Sequence, residues 1–397
     1  MSLDAGQLRK DFPALQQKVN SGELVYLDNA ATTQKPEQVI DRIQEYYEEE
    51  NANPGRSLHE LARRSTERYR ESRKTVADFI GATPGETVFT RNTTESINLV
   101  ASSLELEGRI LVPEFAHHSE QLPWRRKAGR EDLDIEFIPH ENGRIDMEAF
   151  RELMDEDVAL VTVPQVSNVF GARNPVNGIV EVAHRHDAYV MVDGAQSVPR
   201  MPVDVKGLGA DFLAFSGHKM LGPDGIGVLY GRRELLEEME PYQVGGGMIR
   251  SVKHDSVEWE ELPAKFEAGT PNVSGAVGLA AAIDYLEEIG MENVQEHDRE
   301  LTQMMIEGLE EMEGVTVYSP RDASLVSFTM ETAHPHDISE ILNREGVAIR
   351  AGYHCAQPLM ESLGVSSTAR ASPYLYNTEE DVEKFLLAAE KVREVFD

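Results

Sequence analysis

From residue 87 onward the chain alternates short runs of β-forming apolar residues with longer amphipathic stretches. The pattern predicts strands over 87–90, 109–112, 135–138 and 158–163, with helices over 94–104, 119–128, 146–154 and 176–187 between and after them. Further strands are predicted over 189–193, 212–215 and 226–230. Strand–helix alternation of this kind builds a mostly parallel sheet with helices on its faces. Beyond residue 265 the rhythm changes. Residues 274–312 read as largely helical, 315–318, 325–330 and 347–349 as strands, and 336–344 and 379–395 as helices. Upstream, 4–20 reads as an amphipathic helix. Residues 25–28 then lead into a polar loop at 29–33. Pro36 opens a helix running to about residue 50, and a charged helix covers 57–80. The expectation is an α/β protein of two units. A large one spans 21–285; a smaller α+β one is formed by 1–20 and 286–397, with the N-terminal helix packed on it.

Composition narrows the function. The chain has 397 residues and a net charge of −32, with acidic residues spread along its whole length. That balance argues against nucleic acid and anionic membranes as partners, because phosphate binding needs a basic face. It reads as a solvated surface suited to high internal salt, where such charges are screened. No apolar run approaches the ~20 residues of a membrane span, and Met1-Ser2-Leu3-Asp4 lacks a secretory layout, so a cytoplasmic location is expected. Cys355 is the single cysteine, which excludes an intramolecular disulfide and leaves too few thiolates for a structural zinc site.

The chemistry concentrates where strands end. Asp193, in Val192-Asp193-Gly194-Ala195-Gln196, closes one predicted strand; Lys219, in Ser216-Gly217-His218-Lys219, follows another. Open α/β sheets place ligands at these carboxyl ends. A lysine there can form a Schiff base, and an aspartate can hold a pyridine nitrogen protonated, the pairing pyridoxal phosphate needs. Arg91-Asn92-Thr93-Thr94-Glu95 joins a strand to a helix, so its hydroxyls and N–H groups suit a phosphate. His117 and His118 follow the 109–112 strand, where a histidine could stack on a cofactor ring. Cys355, in Arg350-Ala351-Gly352-Tyr353-His354-Cys355-Ala356, sits in a loop beside arginine and histidine, a setting that fits a thiolate nucleophile. Arg370 is a candidate carboxylate clamp. No Walker motif occurs, and no GxGxxG fingerprint follows a strand.

Together these motifs identify a family. With Tyr26-Leu27-Asp28-Asn29-Ala30-Ala31-Thr32-Thr33, Val166-Ser167-Asn168-Val169, Phe266-Glu267-Ala268-Gly269-Thr270-Pro271-Asn272 and Gln357-Pro358-Leu359-Met360, the chain resembles the class V aminotransferase group of pyridoxal phosphate enzymes. Within that group it is most similar to the SUF-type (group II) cysteine desulfurases. The resemblance covers essentially the whole chain. It implies fold type I (aspartate aminotransferase-like) with a seven-stranded sheet, and a homodimer with its active site at the interface. It implies Lys219 as the cofactor lysine, Asp193 on the ring nitrogen, Gln196 on the ring oxygen and His117 stacked on the ring. Thr93, Thr94, Ser216 and His218 would bind phosphate, with Thr270 arriving from the other subunit. Asn168 and Arg370 would hold the substrate carboxylate, and Arg56, His59 and Arg350 would line the pocket. The implied reaction turns L-cysteine into L-alanine and a persulfide on Cys355, destined for a SUF-type acceptor in Fe–S cluster assembly. A selenocysteine lyase, a cysteine-sulfinate desulfinase, a true aminotransferase or racemase, and a non-catalytic cofactor-binding protein are the alternatives. One departure from the family pattern is Ala116-His117-His118-Ser119-Glu120, where Glu-His-His-Ala-Asn is usual.

Overall fold

The protein is described by a computed structural model covering residues 3–20, 22–55 and 57–396. Seven strands form the central sheet: β1 (Thr87–Thr90), β2 (Arg109–Pro113), β3 (Asp134–Ile138), β4 (Val158–Pro164), β5 (Tyr189–Asp193), β6 (Phe212–Ser216) and β7 (Gly227–Gly231). Their order is β1-β7-β6-β5-β4-β2-β3. Only β7 runs against its neighbours. The others pair in parallel, placing Asp193 level with Ala214 on β6 and Pro164 on β4. The near-continuous Val, Ile and Leu of these strands reflects burial on both faces. One face carries Val161, Val163, Val190, Val192, Leu213 and Phe215. The other carries Ile110, Leu160, Met191, Phe212 and Ala214. The second face is covered by α1 (Thr93–Ser103) and α2 (His118–Glu131), through Ile97 and Trp124. The first is covered partly by α3 (Val176–His184) and α4 (Val273–Ile289), through Ile179, Leu279 and Ile283.

The second sheet, antiparallel, has the order β8-β9-β11-β10, from β8 (Val315–Val317), β9 (Val326–Met330), β10 (Arg350–Gly352) and β11 (Thr368–Ala371). Its core takes Met305 and Leu309 from α5 (Met291–Glu310), Ile338 and Leu342 from α6 (Pro335–Arg344), and Phe385 and Val392 from α8 (Glu379–Phe396). Helix α7 (Gln357–Ser362) follows the Cys355 loop.

Several predicted elements differ locally. The 4–20 helix is instead a four-residue helix, Ala5–Leu8, followed by tight turns at Arg9–Asp11 and Pro13–Gln16. Phe12 is extended there, as a residue preceding proline should be. This segment reaches helices packed on both sheets: the Phe12 ring lies 4.6 Å from Tyr376 and 6.0 Å from Tyr285 of α4, and Arg9 pairs with Asp381 of α8 at 3.2 Å. Val25 and Leu27 pack into the core of the second sheet, because Val25–Tyr26 pairs in parallel with Val347–Ala348. The 274–312 helix is two helices, broken at Gly290, whose φ of 87° a side chain would resist. Helix α2 runs beyond the predicted 128, passing through Pro123 in its second turn, where one backbone bond is forfeited. Among the described residues no helix is long and apolar enough to cross a membrane.

Candidate active site

A cavity of about 240 Å³ opens at the carboxyl edge of the central sheet, and residues from five of its strand ends line it. Lys219 and Asp193 arrive from adjacent strands, β6 and β5. His117 comes from the end of β2, Asn168 follows β4, and Thr93 and Thr94 follow β1. Gln196, Ser216, His218, Arg350, Cys355 and Arg370 line it as well. Two predicted residues lie elsewhere. His59 is exposed, and its Nδ1 caps the helix Glu60–Phe79 by accepting from the Ala62 N–H at 3.2 Å. Thr270 is exposed on a separate pocket. Neither lines this cavity within one chain. Arg56 lies outside the described residues.

Burial sets the electrostatics. Lys219 is pushed down to about 8, first by desolvation; Asp193 opposes this and Arg370 adds to it. Among the described residues nothing pairs with its ammonium. Asp193, 6% exposed, is raised by burial, while the Ala195 N–H at 2.8 Å and Lys219 favour its charge. His117 is held down to about 3 by burial and by Lys219. Its Nδ1 accepts from the Ser119 N–H at 3.0 Å, which puts the proton of the neutral ring on Nε2. His218 is lowered to about 4 by burial, Lys219 and Lys35.

Each group is held from behind. The Ser216 hydroxyl accepts from the Thr93 N–H at 2.9 Å and lies 2.7 Å from the Thr93 hydroxyl. Thr94 and Ser119 share a hydroxyl contact of 2.7 Å. Gly227 allows this corner to close: a Cβ there would lie 2.5 Å from the Asn92 Cα. One amide proton of Gln196 goes to the Ala30 carbonyl at 2.7 Å, leaving the other for a ligand. The His218 carbonyl, one residue before the lysine, accepts from the Thr33 N–H (3.0 Å), the Thr32 hydroxyl (3.0 Å) and the Lys35 ammonium (3.1 Å). Arg370 donates through Nη1 to the Asn168 carbonyl at 2.7 Å and faces Asp28 at 3.5 Å. Its Nε, buried on this cavity, has no partner.

The Cys355 loop is strained. His354 and Cys355 both occupy the left-handed region, with φ of 49° and 55°. Tertiary bonds enforce this: Asn168 donates to the His354 carbonyl at 2.8 Å, and the His118 N–H donates to the Cys355 carbonyl at 2.7 Å. Cys355 is half-buried, on the wall of the cavity that holds Lys219.

Sequence reasoning gave no role to three groups here. Asp28 stands between Arg350 and Arg370. Lys35 grips the loop before Lys219. Glu120 is completely buried behind Asp193, its Oε1 accepting from the Thr162 hydroxyl at 2.9 Å and its Oε2 without a partner. Asp28 lay within a recognised motif, and the Asn-to-Glu departure was the only signal for Glu120.

An unpaired, half-buried amine, a buried carboxylate on the next strand, a cup of hydroxyls at a helix start and an orphaned guanidinium N–H match the aldehyde, ring nitrogen, phosphate and carboxylate that a pyridoxal phosphate enzyme must grip. On a mostly parallel seven-stranded sheet, they define an enzyme of the fold type I class. The aminotransferase class-V family model matches residues 25–385. A cysteine desulfurase of Haloferax volcanii is 46% identical, covering 99% of this chain and 98% of that protein. A probable cysteine desulfurase of Halalkalibacterium halodurans is 47% identical, covering 99% of each. The apo structure of a cysteine desulfurase from Thermococcus onnurineus NA1 superposes with a TM-score of 0.94 at 42% identity, over 99% of each chain. The chain belongs to the aminotransferase class-V family, whose members use pyridoxal phosphate.

Proposed function

We propose that this enzyme is a cysteine desulfurase: it converts L-cysteine to L-alanine, leaves a persulfide on Cys355, and passes that sulfur to a SUF-type acceptor for Fe–S cluster assembly. The observation that carries the reading is the placement of the single cysteine on the same cavity wall as Lys219. The names of the full-length relatives support it.

Bound pyridoxal phosphate withdraws electrons from the substrate's α-carbon. The residues do the rest. Lys219, its amine poised near 8, holds the cofactor and moves the α-proton with Nζ. Asp193 would keep the ring nitrogen protonated, Gln196 would donate to the ring oxygen, and neutral His117 would stack on the ring. Thr93, Thr94, Ser216 and His218 would hold the phosphate, joined in a homodimer by Thr270 of the second subunit. Asn168 and Arg370 hold the substrate carboxylate, with Arg350, His59 and Arg56 toward the rim. Cys355 thiolate attacks the substrate sulfur: an S–S bond forms, the substrate C–S bond breaks, and the carbon takes a proton to become the methyl group of alanine. The acidic surface fits a cytoplasm of high salt.

The test is direct. Protein incubated with L-cysteine should release alanine and gain the mass of one sulfur on the peptide carrying Cys355. Cys355→Ser should keep the cofactor's absorbance and gain no sulfur, and Lys219→Ala should lose the protein-linked chromophore. Undiminished sulfur release by Cys355→Ser would overturn the reading.

A further inference from the structure

We propose that the exposed face of α2 docks a sulfur-accepting protein whose thiol is set in an acidic surface. This inference rests on the reading of Cys355 as the sulfur carrier. In a chain of net charge −32, α2 carries four basic side chains, Arg125, Arg126, Lys127 and Arg130, against two acids, Glu120 and Glu131. Glu120 is sealed in the core, and Glu131 is taken by Lys127 at 2.6 Å. Arg125, Arg126 and Arg130 are exposed and have no carboxylate partner among the described residues. Most other guanidinium groups are paired: Arg109 alone gathers Glu136, Asp155 and Asp157.

The stripe leads to the reactive thiol. The first residue of α2, His118, donates its N–H to the Cys355 carbonyl, and its Nε2 accepts from the Gln357 N–H at 3.2 Å. Exposed Tyr353, two residues before the cysteine, lies with its ring 6.1 Å from that of His118. Leu122, 52% exposed, is one turn further along, and Arg125 and Arg126 stand about 11 Å from His118 at 1.5 Å per residue. Arg125 also covers the ring of half-exposed Phe137 on the edge strand β3, at 5.3 Å. Asp132 and Asp134 lie at the far end and weaken the field there, so attraction is strongest at the end near Cys355. Exposed Tyr353 and Leu122 between a thiol and a pair of arginines without carboxylate partners suit an acceptor with a small hydrophobic contact and a ring of carboxylates. The remaining acidic surface repels such a partner, so this face both attracts it and fixes its orientation. Once docked, the acceptor's thiolate attacks the outer sulfur of the Cys355 persulfide. The S–S bond to Cys355 breaks, a new one forms on the acceptor, Cys355 leaves as thiolate, and no electrons are gained or lost overall.

The probes are two synthetic peptides carrying one cysteine, one among aspartates and glutamates, the other among lysines. The holoenzyme's Cys355 is charged with L-cysteine, or independently with inorganic polysulfide, and transfer is followed by mass. Failure to charge from L-cysteine while polysulfide succeeds sinks the desulfurase reading and still leaves docking measurable. The acidic peptide should take sulfur about tenfold faster or more at low salt, with the advantage fading as KCl approaches ~0.5 M. Arg125→Glu with Arg126→Glu should remove that advantage while dithiothreitol-driven alanine release stays unchanged. Equal rates for the two peptides, or an acidic-peptide rate that survives the double substitution, would overturn the proposal. So would a change in the variant's sedimentation, which would make the face a subunit contact instead.

Discussion

Glu120→Gln offers a stability test with a definite sign. Glu120 is 0% exposed, and its carboxyl is raised well above the usual range by burial and then by the charge of Asp193. Thr162 supplies its one hydrogen bond, to Oε1. The two carboxyls share a sheet face, because Thr162 is level with Met191, two residues before Asp193. Asp193 has a backbone donor and the Lys219 ammonium to favour its charge, so the pair keeps its proton on Glu120. The sign follows from proton counting. Between the unfolded pKa near 4.3 and the raised folded value, the folded state binds one more proton than the unfolded state. Stability therefore falls as pH rises, by about 1.4 kcal/mol per pH unit. Glutamine keeps the carbonyl that accepts from Thr162 and cannot ionise, so it escapes this loss. Across the window between those two values the variant should gain about 1.4 kcal/mol on wild type for each pH unit. Urea unfolding of both proteins across that range, at one fixed salt concentration, reads the difference. Parallel stability curves would mean that Glu120 is ionised in the folded state, and would refute the shared-proton argument.

Two further substitutions probe how the site is held. Lys35→Met removes a half-buried ammonium from the His218 carbonyl, a charge-assisted bond of about 1.5–3 kcal/mol. It should weaken cofactor binding about tenfold in equilibrium dialysis, and an unchanged Kd would show that Thr32 and Thr33 suffice alone. Asp298→Ala strands Arg200, 4% exposed, which also donates to the Pro373 carbonyl at 2.9 Å. It should cost about 3–5 kcal/mol in unfolding experiments, while replacing both partners with apolar residues of similar volume should cost far less.

The sheet was legible because its strands are buried on both faces and so appear as apolar runs with sharp ends. Lys219 and Asp193 were legible because each sits at such an end. Tertiary contacts hid the rest. The turn over Tyr46–Glu50 widens to a π-helix, and Glu50 there meets Arg42, eight residues earlier, at 2.8 Å and Arg68 of the following helix at 2.7 Å. Glu120 is one acid among 70 Asp and Glu residues, and its helix predicts a solvated face; only the packing of α2 against β4 shows that it is sealed. His59 and Thr270 were expected in the pocket from the resemblance, and the second subunit that would bring Thr270 there leaves no trace in one chain's sequence pattern.

The protein's total charge and its cavity lining oppose each other, and salt should reveal which governs ligand entry. Phosphate and carboxylate ligands approach a molecule of net charge −32, yet the cavity presents Lys219, Arg350 and Arg370, with Arg370 kept fully buried and lowered to about 10, first by that burial. At ~0.01 M salt the screening length is about 30 Å, so the repulsion of the whole surface reaches the mouth. At ~0.1 M it is about 10 Å, distant carboxylates are screened, and the nearby cations still act. At ~1 M it is about 3 Å, and their attraction is lost as well. The association rate of pyridoxal phosphate with the apoprotein, measured by stopped-flow absorbance, should therefore rise and then fall across this range. A steady fall would mean that the mouth dominates at every distance. A steady rise would mean that the cations are too recessed to steer a ligand and act only on one already inside.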